Sequence, residues 1–138
     1  LVLLLTTALW TGCSSFSKKW DAANGTPKDP LGIEGRWIGT WQNTNNTHAD
    51  RMRAVMTPVG TNEYRVHFHA KYKRILGFKY EATFRGHSEG GAFVFEGNED
   101  LGALAGGMYR YTGRVSRTEF YSTYQSKYES GTFTLKRP

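Results

Sequence analysis

The sequence predicts an all-β protein, an eight-stranded antiparallel up-and-down meander closed into a small barrel. From Gly35 onward, apolar residues recur at every second position, which is the period of a half-buried strand. The 16 glycines against 4 prolines, together with 14% aromatic residues, favour short strands joined by tight turns. No segment shows a convincing helical period. A two-sheet β-sandwich is the alternative, because strand patterns do not show whether the eighth strand pairs with the first.

The first predicted strand runs from Gly35 to Gln42. Trp37 and Trp41 fall on one face with Gly39 between them, so we expect a neighbouring strand to cross closely at the glycine. Residues 51–57 alternate and form the second strand, and residues 58–62 have the composition of a turn.

The third and fourth strands show the clearest alternation. In residues 64–73 the apolar face is formed by Tyr64, Val66, Phe68, Ala70 and Tyr72. Residues 75–77 are expected to close a hairpin, after which the same pattern continues with Phe78, Tyr80, Ala82 and Phe84 inside.

The remaining segments complete the count of eight strands. Residues 87–91 turn the chain before a fifth strand with Phe93 and Phe95, and small residues at 102–107 connect it to a sixth strand over 109–115. The seventh and eighth strands span 120–124 and 131–136. A flat meander would expose an apolar face and two edges, so we expect closure into a barrel.

The N-terminal residues carry the features of an exported lipoprotein. Residues 1–12 are an apolar run of signal-peptide length, too short to span a bilayer and without a basic start, so the signal looks truncated. Thr11-Gly12-Cys13 resembles a bacterial lipobox, although Trp10 stands where leucine is usual. This resemblance implies lipidation of Cys13, and Ser14 resembles the outer-membrane sorting residue of two-membrane bacteria. We therefore expect a membrane-anchored lipoprotein, on the outer membrane or periplasmic face if the host has two membranes.

Residues 13–32 are predicted to be a flexible, lipid-anchored tether, and residues 33–138 the barrel domain. With one cysteine the domain has no internal disulfide and depends on its core. The net charge is +6. Because the basic residues are scattered and form no dense run, nucleic acid is not an expected partner. The oligomeric state is left open.

Two short motifs in the first strand resemble calycin-like barrels, the group that contains lipocalins, fatty-acid binders and avidins. Gly35-Arg36-Trp37 is similar to the lipocalin Gly-x-Trp motif, and Gly39-Thr40-Trp41-Gln42-Asn43 to the avidin opening in which the asparagine contacts the bound ring. The four tryptophans lie at positions 10, 20, 37 and 41, so the later tryptophans of a biotin pocket are missing. The Tyr-rich strands also resemble small exported bacterial proteins of no assigned activity.

Inward tyrosines make the barrel mouth the candidate site. An eight-stranded barrel is filled by side chains or holds one small ligand, and buried tyrosine hydroxyls need partners. The predicted ligand-binding residues are Trp41, Asn43, Tyr72, Tyr80, Tyr109, Tyr111 and Tyr124, with Asn45, Asn46 and His48 as a lid. The simpler alternative is that these aromatic residues only fill the core.

No metal, cofactor or catalytic residue is predicted. His67 and His69 with Glu81 or His87 have the chemistry of a zinc site, but outward histidines on strands are usually solvated. No trio of nucleophile, base and orienting residue occurs.

The sequence thus predicts a non-catalytic envelope lipoprotein whose barrel binds a small apolar or aromatic ligand. The alternative is an interaction module with a solid core that acts through its basic outer surface, including Arg65, Lys71 and Arg85. An enzyme on a calycin-like barrel is a third hypothesis.

Overall fold

The computed structural model describes residues 15–103 and 106–138. In these ranges one short helix, α1, covers residues 15–22. Eight strands follow it: β1 (Gly35–Asn43), β2 (Ala49–Gly60), β3 (Glu63–Tyr72), β4 (Leu76–Glu89), β5 (Ala92–Asp100), β6 (Met108–Val115), β7 (Glu119–Gln125) and β8 (Ser130–Lys136). Within the described ranges, no helix has the length and apolar character needed to cross a bilayer.

The strands form a closed antiparallel barrel in which each strand pairs with the next along the chain. Closure is made by β1 and β8, with Ile38 opposite Lys136 and Asn43 opposite Gly131. The predicted fold class is therefore confirmed, and the sandwich alternative was wrong because the eighth strand does pair with the first.

Gly39 lies where β1 and β8 cross most closely. A Cβ atom at this position would collide with the Thr134 carbonyl and the Leu135 Cα. The expected close approach of a neighbouring strand at this glycine is confirmed, and it shows how the barrel turns sharply enough to close.

Some strand ends differ from the prediction. β2 continues through Pro58, which is accommodated because the register with β3 shifts between Pro58 and Gly60. The β3–β4 turn comprises residues 73–75, with φ of 53° and 62° at Lys73 and Arg74, so it overlaps the predicted turn at 75–77 only at Ile75. Two consecutive positive φ angles are the geometry of a tight hairpin turn that usually contains asparagine and glycine, so the Gly77 position misled the prediction.

The solid part of the core fills one end of the barrel, the closed end, where β1 begins and β8 ends. Trp37 is fully buried there and meets Phe120 edge-on, with ring centroids 5.7 Å apart. Phe84 stacks on Phe95 at 4.2 Å. The Trp37 indole N–H donates to the Ile33 carbonyl, and buried Ile33 covers this end of the barrel. The opposite end, where β1 ends and β8 begins, is the open end.

Helix α1 packs on the outer face of the barrel. Phe16 is 4% exposed and lies between the His69 ring at 5.3 Å and the Arg53 guanidinium at 5.1 Å. Trp20 lies 5.0 Å from both the Arg36 and the Arg53 guanidinium carbons. These contacts differ from the flexible tether expected for residues 13–32, since an aromatic pair four residues apart anchors one face of the helix. The predicted signal peptide and the lipidation site Cys13 lie outside the described residues.

Candidate ligand-binding site

A cavity of about 580 Å³ occupies the open end of the barrel. All seven predicted binding residues line it, namely Trp41, Asn43, Tyr72, Tyr80, Tyr109, Tyr111 and Tyr124. The three residues of the predicted lid, Asn45, Asn46 and His48, also line it. Alternate residues of neighbouring strands face the same interior, so the strand pattern places these side chains around one cavity.

Strand register places the tyrosines next to the aromatic core. Tyr111 and Tyr124 are direct partners across β6 and β7, and Tyr80 is opposite Phe68 across β3 and β4. Phe68 is fully buried and stacks on Tyr80 at 5.0 Å and on Tyr111 at 6.2 Å, so it supports two rings that line the cavity. Offset stacks of this kind hold aromatic rings in fixed positions.

Three tyrosine hydroxyls in the cavity have no hydrogen-bond partner among the residues that the structure describes. Within the described ranges, the hydroxyls of Tyr64, Tyr72 and Tyr109 form hydrogen bonds, whereas those of Tyr80, Tyr111 and Tyr124 form none. Since no fully buried side-chain nitrogen or oxygen in those ranges is unsatisfied, these three hydroxyls face the cavity. They are hydrogen-bonding groups available to a ligand.

Burial keeps these three hydroxyls protonated. Desolvation, reinforced by the neighbouring tyrosines, raises the pKa of Tyr80 and Tyr111 well above the usual value. For Tyr124 desolvation again dominates, with the Glu129 carboxylate as the next cause of a raised pKa. At neutral pH all three are therefore O–H donors aimed into an apolar space.

Glu129 is a cavity residue that the sequence analysis missed. Its Oε1 accepts a 2.5 Å hydrogen bond from the Tyr109 hydroxyl, and its Oε2 accepts one from Asn43 Nδ2 at 3.1 Å. Burial and this hydrogen bond raise the pKa of Tyr109 to about 12. An isolated acid in a short turn gives no sequence indication of such a role. Other lining residues that were not predicted as binding residues include Met52, Ala70, Phe78, Leu101 and Tyr128.

Besides Tyr109, three of the predicted residues have their polar atoms engaged by the protein. Asn43 is buried, and its Oδ1 accepts from the backbone N–H groups of Asn45 and Asn46. The Trp41 indole N–H donates to the Lys71 carbonyl at 2.7 Å, and its ring stacks on Tyr72 at 6.2 Å. The Tyr72 hydroxyl lies 3.2 Å from a ring nitrogen of His48. These residues shape the wall of the cavity, and the free donors are the three tyrosines.

The histidines of β3 do not converge on a common point. His67 Nδ1 lies 3.1 Å from Glu81 Oε2, while His69 Nδ1 lies 3.0 Å from an Arg53 guanidinium nitrogen. His87 is placed on another part of β4, opposite Val94. In the part of the chain that the structure describes, no three histidine, cysteine or acidic side chains are grouped as metal ligands.

Comparison with known proteins gives a fold and no family. No protein-family model matches the sequence, and no curated protein matches it. A redesigned β-barrel, mFAP1, bound to DFHBI is 12% identical over 76% of this chain and 94% of that chain, with a TM-score of 0.58. A second designed protein, a de novo fluorescence-activating β-barrel, is 13% identical over 76% of this chain and 93% of that chain, with a TM-score of 0.56.

The chain shares the barrel fold of these two designed proteins. The siderocalin Ex-FABP is also similar, at 13% identity over 77% of this chain and 74% of that chain, with a TM-score of 0.48.

Proposed function

We propose that the barrel binds one small, largely aromatic ligand at its open end and performs no chemistry on it. The observation that carries this proposal is the cavity of about 580 Å³ with three unpartnered tyrosine hydroxyls. Its volume lies within the range of about 300–1,000 Å³ that is usual for small-molecule sites.

The chemistry of the walls defines the ligand class. The rings of Tyr80, Tyr111 and Tyr124 line the cavity and offer apolar surfaces on which a planar ring can stack. The free hydroxyls donate to a ligand oxygen or nitrogen that accepts hydrogen bonds. The designed barrel mFAP1 is bound to DFHBI, so a small molecule is held by a barrel of this fold.

The alternative of an interaction module finds less support. Two of the three basic residues chosen for that hypothesis are paired, because Arg65 contacts Glu81 and Glu99, and Arg85 contacts Glu63. A solid interior also disagrees with the open cavity.

We also propose that the protein is exported and anchored by a lipid on Cys13. The support is the Thr11-Gly12-Cys13 pattern after an apolar run. In bacteria that express the full chain, Cys13→Ser should move the protein from the membrane fraction to the soluble fraction. The mass of the mature chain should fall by that of its acyl groups. If the wild-type chain carries no added lipid mass, the anchor does not exist.

Native mass spectrometry of the full chain, purified from cells without denaturation, tests ligand binding. We expect a reproducible adduct of a few hundred daltons that disappears on unfolding. The control is Ala70→Phe, because Ala70 lines the cavity and a phenyl ring there would occupy its volume. A bare wild-type mass, together with no thermal stabilisation by any member of a library of small aromatic molecules, would contradict the proposal.

A further inference from the structure

Exposed apolar side chains are concentrated around the open end. Of the eight large apolar side chains that are exposed in the described ranges, five lie on the turns and strand ends that surround the cavity mouth. We call these five the mouth ring: Ile75, Leu76, Phe78, Met108 and Tyr128. Ile75 is 83% exposed and Tyr128 72%. Exposed apolar side chains grouped at one end of a domain are typical of an interaction surface.

Cations are interleaved with the mouth ring. Lys73 and Arg74 form the turn next to Ile75, and Lys127 precedes Tyr128. The Lys73 ammonium lies 5.4 Å from the centroid of the Tyr72 ring, and the Lys127 ammonium 5.8 Å from that of Tyr128. Amphipathic aromatic rings beside basic side chains are typical of surfaces that meet the headgroup region of a bilayer.

The acids near this end accept hydrogen bonds from the protein. Glu129 is held inside the cavity by Tyr109 and Asn43, and Glu99 contacts Arg65. Asp50 accepts the backbone N–H groups of Arg51 and Arg74, and Asp100 accepts that of Gly102. Exposed Lys73, Arg74 and Lys127 outnumber the carboxylates of Asp50 and Asp100, so the charge presented outward around the mouth is basic on balance.

The turn at Lys73 and Arg74 departs from local sequence preference. Both residues have positive φ, a conformation that favours glycine or asparagine over residues with long side chains. A conflict of this kind between local sequence and backbone conformation is expected at functional sites.

The direction of α1 adds an independent observation. Phe16 lies against His69 and, with Ser17, Gly77 and Lys79, lines a depression beside the open end, whereas Trp20 lies farther along the barrel at Arg36. The first turn of α1 is therefore the part of the helix nearest the open end. Cys13 is two residues before Ser15, which is at most about 7 Å of extended chain.

We propose that the open end of the barrel docks on an anionic lipid bilayer. The mouth ring enters the headgroup region, and Lys73, Arg74 and Lys127 meet lipid phosphates. The cavity mouth then faces the membrane, so that a ligand can enter from the lipid phase. This orientation requires neither a lipid on Cys13 nor an occupied cavity.

An environment-sensitive fluorophore at either end of the barrel tests the orientation. The full chain carrying Cys13→Ser is labelled through Ile75→Cys at the open end, or through Val59→Cys at the closed end, where Val59 is also exposed. With vesicles containing phosphatidylglycerol, we expect a blue shift and quenching by spin-labelled lipid for the Ile75→Cys label only. A response of the Val59→Cys label alone, or equal responses of both, would overturn the proposal.

Charge reversal separates docking by this surface from anchoring by the N-terminal residues. Lys73→Glu with Arg74→Glu should weaken binding to the anionic vesicles by about tenfold or more, because each basic residue near the surface contributes to attraction. Arg114→Glu, at an exposed position near the closed end, should leave binding unchanged. If the Ile75→Cys label responds equally with and without the reversal, or equally to neutral phosphatidylcholine vesicles, these cations do not direct binding and docking on an anionic bilayer is overturned. If the label responds to no vesicle, the proposal is overturned, and the mouth ring would then be a surface for a protein partner.

Discussion

The Arg137 guanidinium carbon lies 4.0 Å from the centroid of the Trp37 ring, at the closed end of the barrel. The same guanidinium donates hydrogen bonds to the carbonyl oxygens of Gly32, Glu34 and Arg36. Arg137, which follows β8, thus holds residues 32–36, the segment that leads into β1. This closes the end of the barrel opposite the cavity.

Arg137→Lys should lower the free energy of unfolding by about 1–3 kcal/mol. A lysine cannot donate to three carbonyls in a planar fork, and carbonyl groups without donors are left partly buried. Urea unfolding measures the change, with Lys136→Ala as a control at a neighbouring exposed position. Equal stability of Arg137→Lys and the wild type would show that these contacts contribute nothing. Ligand binding should be unaffected because the cavity lies at the other end.

Tyr80→Phe and Tyr111→Phe should weaken ligand binding and leave the fold intact. Each removes a donor that has no protein partner, so the free energy of unfolding should not fall. A ligand that uses the hydroxyl should bind about three- to tenfold more weakly, corresponding to one hydrogen bond. Isothermal titration with the ligand found by mass spectrometry gives the affinity, and Tyr121→Phe on the outer surface is the control. A loss of stability without a loss of affinity would assign these tyrosines to the core.

Gly39→Ala should destabilise the barrel by at least about 1–3 kcal/mol. The added methyl group would meet backbone atoms of β8, which cannot move as a flexible side chain would. Gly25→Ala is the matched control, since no atom lies within 4 Å of a Cβ at that position. Thermal unfolding of both variants should show a lower midpoint for Gly39→Ala only. Similar midpoints would mean that β1 and β8 are farther apart than described.

Stability should fall as the pH drops from 7.5 to 5.5, because two histidines lie beneath α1. Burial, followed by Lys19 for His67 and by Arg53 for His69, lowers the pKa of both side chains. Between the folded and the unfolded pKa values, the unfolded chain binds protons that the folded chain does not. The stabilisation of the fold by the two neutral histidines is therefore complete above the unfolded pKa of about 6.5 and is lost as the pH falls toward the folded pKa values. In urea unfolding, the free energy of unfolding of the double variant His67→Gln with His69→Gln should fall less between pH 7.5 and 5.5 than that of the wild type. The exposed control His87→Gln should behave like the wild type.

Lys73→Asn with Arg74→Gly should raise the free energy of unfolding by about 1–2 kcal/mol. These residues suit the positive φ angles of the β3–β4 turn, where the native side chains are disfavoured. The same double variant should bind anionic vesicles more weakly, since it removes two cations. A variant that is more stable and binds less would show that the native turn favours function over stability. A decrease in stability would indicate that the turn has another geometry.

The two-residue period of the strands was enough to predict the fold and which of the predicted side chains line the cavity. The alternation of apolar and polar residues from Tyr64 to Tyr72 identified the inward face of β3. The same alternation in β4 and β6 predicted that Tyr80 and Tyr111 point inward. We predicted closure into a barrel because an open meander would expose two unpaired strand edges. These features depend on residues close together in the chain.

The features that escaped prediction depend on tertiary contacts. Glu129 joins the site through Asn43, 86 residues away in the sequence, so no local pattern could reveal it. Helix α1 is too short for a recognisable period, and it is stabilised by Arg53 and His69 beneath Phe16. The spacing of Phe16 and Trp20 was the one available indication. The β3–β4 turn was misplaced because Lys73 and Arg74 are unusual turn residues.

The pairing of Ile38 with Lys136 also has a consequence for synthesis on the ribosome. β1 gains its second neighbour only after about a hundred further residues have been translated, which takes about 5–20 seconds at usual rates. Throughout that interval one edge of β1 has unpaired backbone groups that can template aggregation. Folding dominated by such a distant contact is slow, so the nascent chain has an extended period in which a chaperone that holds unfolded chains would protect it.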